Sequence, residues 1–310
     1  MNLAVAKTML NLKQLLDPAS LAEKVQLKTL TLLNPSYKAA RAPGHYTSPL
    51  LDLRKIDEAE QFDGEQLWQS IDLRHEAQQS YYEALLSSTT DLKFPAQKTP
   101  GRAYYSDNDW FWPADAFTLS AIMQKEKPAR IIEVGSGFSS AVMLDTRRLA
   151  GLSTHLTFIE PAPERLFTLI KPEDESRVSV IRDIVQNVDL DVFDQLEAGD
   201  ILFIDSSHVV KVGSDVPWLL LVVLPRLKKG VIVHFHDIFY PESYPRDWLA
   251  KGWSWNESQM LRAFLVNNSR FEVTVFNAYA QLKFPQLFRE RMPAFLETAG
   301  QSIWLRVSGD

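Results

Sequence analysis

The feature that most constrains this chain is an alternation of short apolar runs and helix-period segments. It begins at Ala129 and continues nearly to the end. Arg130–Val134, His155–Ile159, Arg177–Ile181, Asp200–Ile204 and Val231–Phe235 each read as a strand. Ser139–Leu149, Pro163–Ile170 and Pro217–Leu227 read as helices, the last stopped by Lys228-Lys229-Gly230. Repeated units with strands this apolar imply a parallel sheet covered on both faces. Glu257–Val266 is a further predicted helix, and Phe271–Phe276 and Ser302–Val307 are late strands. No obvious regular helix separates those two, which suits an antiparallel edge.

Residues 1–100 have a different texture. Helical patterns at Leu3–Leu16, Ser20–Leu33 and Gln66–Leu86 are separated by Asn34-Pro35, Ala42-Pro43-Gly44 and Ser48-Pro49. The expected organisation is a mainly helical extension over 1–100 and an α/β domain over 101–310. With 45% hydrophobic residues, most of the chain can bury a core.

Composition removes several function classes. A net charge of -6 and the lack of a dense Lys/Arg block argue against nucleic acid as a partner. There are no cysteines, which excludes disulfides, thiolate zinc sites and a cysteine nucleophile. Any metal therefore falls to His, Asp or Glu, and the absence fits the cytoplasm. No apolar run reaches the roughly 18–20 residues that span a bilayer, so stable membrane insertion is not expected. Met1–Leu16 carries Lys7 and Lys13 and reads as an amphipathic helix rather than a signal peptide.

The strongest local signal is Ile131-Ile132-Glu133-Val134-Gly135-Ser136-Gly137-Phe138-Ser139-Ser140. A strand runs into a glycine turn and then a helix. Glycines suit a backbone that turns tightly and lets a ligand lie against it. Glu160 closes the next strand, where a carboxylate can accept hydrogen bonds from both ribose hydroxyls of a nucleoside. The dinucleotide fingerprint wants a third Gly or Ala, and here that position is Ser140. Glu133, just before the first glycine, would repel a pyrophosphate and attract a cationic amino-acid end. S-adenosylmethionine is thereby favoured over NAD.

Two more strand ends carry polar groups. Asp200–Ile204 ends in Asp205-Ser206-Ser207-His208, and both Asp205 and His208 can face one cavity. A histidine titrating near neutrality can remove a proton from a substrate hydroxyl. The fifth strand ends in His234-Phe235-His236-Asp237, with His234 and His236 on one face by alternation. Asp205, His236 and Asp237 together offer mixed oxygen and nitrogen ligation for a divalent cation such as magnesium. The alternative is a metal-free His236–Asp237 pair that positions substrate. An aromatic, Pro-rich loop follows, from Tyr240 to Asn256, and reads as either a substrate wall or plain packing. Tyr104–Pro113 reads as a segment that folds over the cofactor or as ordinary core.

These motifs resemble the class I S-adenosylmethionine-dependent methyltransferases, and within them the methyltransferase domain 24 family. The likeness runs through Pro128–Ser140, Ile159-Glu160-Pro161, Phe203–Asp215, His234–Pro245, Trp255-Asn256-Glu257 and Leu261–Leu265. It implies a Rossmann-like, seven-stranded, mostly parallel sheet with an antiparallel last strand. More distantly, the site is similar to metal-dependent sugar and catechol O-methyltransferases. There the fourth strand tip supplies an Asp ligand, matching Asp205, and the sugar enzymes place a catalytic His where His208 stands. Their fifth strand supplies an acidic or amide pair, and His236-Asp237 departs from it by one ligand.

The expected function is methyl transfer from S-adenosylmethionine to an oxygen of a small-molecule or saccharide acceptor. Glu133 and the turn Gly135, Ser136 and Gly137 would hold the amino-acid end, Glu160 the ribose, and Asp183 would lie near the adenine. His208 would be the general base beside Asp205. The rivals are an NAD-dependent oxidoreductase and a non-catalytic scaffold protein. Oligomeric state stays open, a homo-oligomer included.

Overall fold

The computed structural model describes residues 41–309 except Asp91, together with Val25, Lys28, Thr29, Leu32 and Leu33 before them. The helix expected over Leu3–Leu16, and most of that over Ser20–Leu33, lies outside the described residues.

Seven strands build the sheet: β1 (Arg130–Val134), β2 (His155–Ile159), β3 (Val178–Ile181), β4 (Ile201–Ile204), β5 (Ile232–Phe235), β6 (Phe271–Phe276) and β7 (Ile303–Val307). Their order is β3-β2-β1-β4-β5-β7-β6. β1 to β5 run parallel, and β7 pairs antiparallel with both β5 and β6. The fold is the Rossmann-like, mostly parallel seven-stranded sheet that the resemblance implies. β4 and β5 are buried along their whole length, as strands covered on both faces should be.

The two final strands form the expected antiparallel edge, with β7 inserted between β5 and β6 and β6 outermost. One detail differs from expectation: the β6–β7 connection is helical, with Asn277–Lys283, Gln286–Arg289 and Pro293–Leu296. Pro285 and Pro293 cut it into pieces too short to show a helical period.

Helix α1 (His75–Ser88) packs on β6, and α2 (Pro113–Glu126) packs on α3 (Phe138–Leu149). The helix expected over Gln66–Leu86 is shorter, because Arg74 takes a left-handed backbone (φ 50°) just before His75. That over Pro217–Leu227 starts at Asp215, widens to i→i+5 bonding over Leu219–Val223 and tightens over Leu224–Arg226. Pro225 has no N–H to continue regular bonding there. The fourth labelled helix, α4 (Glu257–Leu265), buries Leu261 and Leu265.

The chain divides into two compact units. One comprises the described residues up to Phe62 with Arg246–Ser254, where Arg246 pairs with Asp57 and Glu60. The other, Asp63–Pro245 with Trp255–Asp310, contains the sheet and every residue singled out above as a site candidate. Among the described residues no helix is long and apolar enough to cross a membrane.

Register positions the site. Val134 lies level with Ile159 and Ile204, and Ile204 with Phe235. The residues that follow, Gly135, Glu160, Asp205 and His236, therefore stand side by side along the carboxyl edge of the sheet. Backbone bonds hold them there: Gly135 N to Ile159 O, Asp205 N to Val134 O and His236 N to Ile204 O, all 2.9–3.0 Å. The strand order reverses between β1 and β4, the place where open α/β sheets bind ligands.

Candidate active site

A cleft of about 460 Å³ opens over the tips of β1, β2 and β4. Gly135, Glu160, Asp183, Asp205, Ser206 and Lys211 are among its walls. Gly135 has φ 82°, and a Cβ there would lie 1.8 Å from the Asp205 carbonyl oxygen. Only glycine lets the β1 tip approach β4 so closely.

Glu160 faces the cleft. Its Oε2 accepts the Ser136 amide at 3.0 Å and its Oε1 the Ala162 amide at 2.9 Å. A carboxylate has about four acceptor positions, so two remain for a ligand. Asp183 is exposed at the far wall, where its Oδ1 accepts Ile184 N at 2.7 Å and Asn187 Nδ2 at 2.9 Å. The hydroxyls of Ser136 and Ser206 are buried without a partner.

Glu133 lies elsewhere. It is fully buried beneath the turn, with one oxygen accepting Ser139 Oγ at 2.6 Å and the other Ser140 Oγ. Burial pushes its carboxyl up to about 8, against the pull of those hydroxyls. It is held by those hydroxyls beneath the turn rather than exposed to the cleft. Ser140, which breaks the dinucleotide pattern, also accepts the Gly137 amide at 3.1 Å.

Beside the cleft, Asp205, His208 and Asp237 each bring a ligand atom within 4.8 Å of the others. His208 Nε2 lies 3.4 Å from Asp205 Oδ1 and 3.2 Å from Asp237 Oδ2. On the opposite side of the ring, His208 Nδ1 meets Glu257 Oε2 at 2.9 Å. Burial works to lower the His208 pKa, but hydrogen bonds to Asp205 and Glu257 and the charge of Asp237 win and raise it well above the ordinary value. Burial opposes ionisation of Asp205 too, yet His236 and His208 hold its carboxyl low. Asp237 is pushed up, by burial first.

His236 is not part of that trio. Its Nε2 stands 3.8 Å from Asp237 Oδ1, and its ring packs 5.0 Å from Phe111. Both its ring nitrogens are buried without a hydrogen-bond partner. Burial disfavours its charge, but Asp237, Asp205 and Asp115 raise its pKa nonetheless. His234 stacks on Phe203 at 3.6 Å and bonds Ser302 Oγ, and burial holds it well below the usual imidazole value.

The start of α4 supplies what the sequence reading missed. The amides of Asn256 and Glu257 donate to the His208 carbonyl at 3.1 and 3.2 Å. Asn256 Oδ1 accepts Val210 N at 2.6 Å. Trp255 packs its ring 4.5 Å from the His208 ring. This clasp holds His208 in a left-handed backbone (φ 58°), a conformation costly for a non-glycine residue. The signal was the polar pair Asn256-Glu257 at a helix start, which reads from sequence as a simple cap.

The neighbouring loops are pinned rather than loose. Ser243 bonds Asp63 through both its amide and hydroxyl, and the buried Arg262 bonds Ser243 Oγ at 2.8 Å. In the segment over the β1 tip, Asn108 folds its own loop by accepting the amides of Trp110 and Phe111. Tyr104 Oη donates to Phe111 O at 2.7 Å.

Residues 132–238 match the family model described as a methyltransferase domain. An uncharacterized protein of Archaeoglobus fulgidus is 32% identical over 169 residues, which are 50% of this chain and 73% of that relative. Among solved structures, an S-adenosylhomocysteine-bound methyltransferase of Podospora anserina is similar at 14% identity. It covers 76% of this chain and 88% of its own, with a TM-score of 0.40. The O-methyltransferase TomG of Streptomyces achromogenes is similar at 15% identity, over 77% and 90% of the two chains, with a TM-score of 0.39. By the domain match over the β1–β5 core and the Archaeoglobus relative, this chain belongs to the methyltransferase-domain family of S-adenosylmethionine-dependent enzymes.

Proposed function

We propose that the enzyme methylates a hydroxyl oxygen of a small molecule or saccharide, with His208 as general base. The observation that carries this reading is the mounting of His208. Glu257 takes the Nδ1 side of the ring, which turns Nε2 toward Asp205 and Asp237; those carboxylates raise its proton affinity, and a cation held between them would displace that proton and free the Nε2 lone pair. A base so fixed suits an acceptor that must lose a proton.

The cleft residues fit the cofactor. The free lone pairs of Glu160 suit the ribose hydroxyls, and Asp183 stands where an adenine edge would lie. The Gly135-Ser136-Gly137 turn, braced from below by Glu133, suits the amino-acid end. The unpartnered Ser136 and Ser206 hydroxyls are further donors for a ligand.

The donor set at Asp205 and Asp237 also fits a divalent cation such as magnesium, being rich in carboxylate oxygen. Three carboxylates gathered around one imidazole call for positive charge among them. Asp205 and Asp237 would hold a cation there, and it would supply that charge, lower the acceptor hydroxyl pKa and orient that hydroxyl. His236 acts on Asp237 through charge, its Nε2 standing 3.8 Å from Oδ1. His208 Nε2 takes the hydroxyl proton, the oxygen bonds the methyl carbon, and the carbon–sulfur bond breaks, releasing neutral S-adenosylhomocysteine. In-line alignment of oxygen, carbon and sulfur supplies much of the acceleration.

The test is transfer of methyl-labelled S-adenosylmethionine to a panel of sugars, polyols and phenols, with magnesium or with chelator. Label in an acceptor oxygen with the wild type, lost with His208→Ala, supports the reading. Label on nitrogen or carbon, or undiminished transfer by His208→Ala, contradicts it.

A further inference from the structure

Arg165 stands apart from the ion pairs of this protein. It is exposed, just past the Glu160 strand end, and no carboxylate pairs with it among the described residues. Its guanidinium instead lies over the ring of Trp110, 5.0 Å from the centroid. Trp110 is itself 61% exposed, an unusual position for so large an apolar ring. It is held there by its own loop, through Asn108 Oδ1 and the Trp110 amide. Two segments distant in sequence thus present a cation over an aromatic face.

The place matters more than the pair. Among the described residues, leaving aside the glycine's chain neighbours, Arg165 Nη1 is the one atom within 4 Å of where a Gly137 Cβ would be, at 4.0 Å. The arginine therefore overhangs the second glycine of the turn, across from Glu160, whose Oε2 holds the adjacent Ser136 amide. An uncompensated planar donor over an otherwise open glycine is built to meet an anion that is not part of the chain. Arginine is the side chain that recognises a carboxylate by two parallel hydrogen bonds, and stacking on an aromatic ring pre-organises that plane.

The geometry points to Arg165, shelved on Trp110, as the residue that grips the carboxylate of the cofactor's methionine moiety. This rests on the reading of the cleft as the S-adenosylmethionine site. Within that reading it adds a binding determinant contributed by the segment after β2 and by the loop before α2. The sulfonium and ribose would be held from the β1 and β2 tips, and the carboxylate from above.

The experiment compares two ligands by calorimetry: S-adenosylhomocysteine, which carries the amino-acid end, and methylthioadenosine, which lacks it. Wild type, Arg165→Met, Arg165→Lys and Trp110→Ala are titrated. Arg165 is exposed, so its replacement leaves the core untouched. Arg165→Met should weaken S-adenosylhomocysteine about tenfold or more and leave methylthioadenosine unchanged. Arg165→Lys should recover part of the loss, and Trp110→Ala should lose less than Arg165→Met. Equal loss for both ligands, or no loss for either, overturns the assignment while leaving the cleft as the nucleoside site. A folded wild type that binds neither ligand overturns the cofactor reading, and the assignment with it.

Discussion

The two halves of the active site are built on opposite principles. At the β1 and β2 tips, geometry is set by backbone: Glu160 is gripped by two amides, and Gly135 is fixed by contact with the Asp205 carbonyl. At the β4 and β5 tips, geometry is set by charge. His208 sits among Asp205, Asp237 and Glu257, and its state and theirs are mutually determined. The first half resembles a mould, which tolerates substitution of a side chain at the expense of affinity alone. The second resembles a circuit, in which removing one member changes the rest. Binding should therefore fail with lesions in the first, and chemistry with lesions in the second.

The sharpest way to break this comparison is His208→Ala. Loss of a general base typically costs about 10²–10⁴ in rate. The expected outcome is a kcat reduced by that order with S-adenosylhomocysteine affinity unchanged, read by steady-state kinetics beside calorimetry. A parallel loss of affinity would show that the two halves are not separable.

A milder lesion is Glu257→Gln. It keeps the shape of the clasp while removing the carboxylate that fixes the His208 tautomer. Loss of such an orienting partner costs about 10–100-fold. We expect kcat to fall by that factor with KM for the cofactor unmoved, and the pH–rate profile to shift. A KM change alone would assign Glu257 to architecture.

A different kind of effect, thermodynamic rather than kinetic, concerns Glu133. Its folded-state pKa of about 8 lies above the ordinary value of 4.5 because it is buried. The folded protein thus binds more protons than the unfolded one between these values, and stability falls as pH rises through that window. Glu133→Gln removes this dependence. Its Tm relative to wild type should rise from about pH 5 to about pH 8. A difference independent of pH would mean that Glu133 is ionised in its buried site.

How much of this could be read from sequence follows the same division. The mould was legible because strand ends and glycine turns are local signals: Gly135 and Glu160 each follow an apolar run directly. Register did the rest, since parallel neighbours align their tips. The circuit was half legible. Asp205, His208 and Asp237 could be placed at their strand ends, but Glu257 is 49 residues from His208 and belongs to a helix start. Nothing local distinguishes a glutamate that caps a helix from one that reaches back to another loop. His236 shows the converse limit, since alternation puts it on a strand face but does not say that Phe111 covers it. The position of β7 between β5 and β6 likewise depends on pairing, which apolar pattern does not encode. The nicotinamide and scaffold alternatives fall with the family assignment.

The central claim, that the cleft over β1, β2 and β4 binds the cofactor through Glu160, is tested most directly by titrating S-adenosylhomocysteine into wild type and Glu160→Ala. The account predicts saturable binding by the wild type and a loss of about 10–100-fold in the variant, from two charge-assisted hydrogen bonds. It also predicts little change on adding magnesium, which is proposed for the other half of the site. Equal affinity in the two proteins, or no binding by the folded wild type, would contradict it.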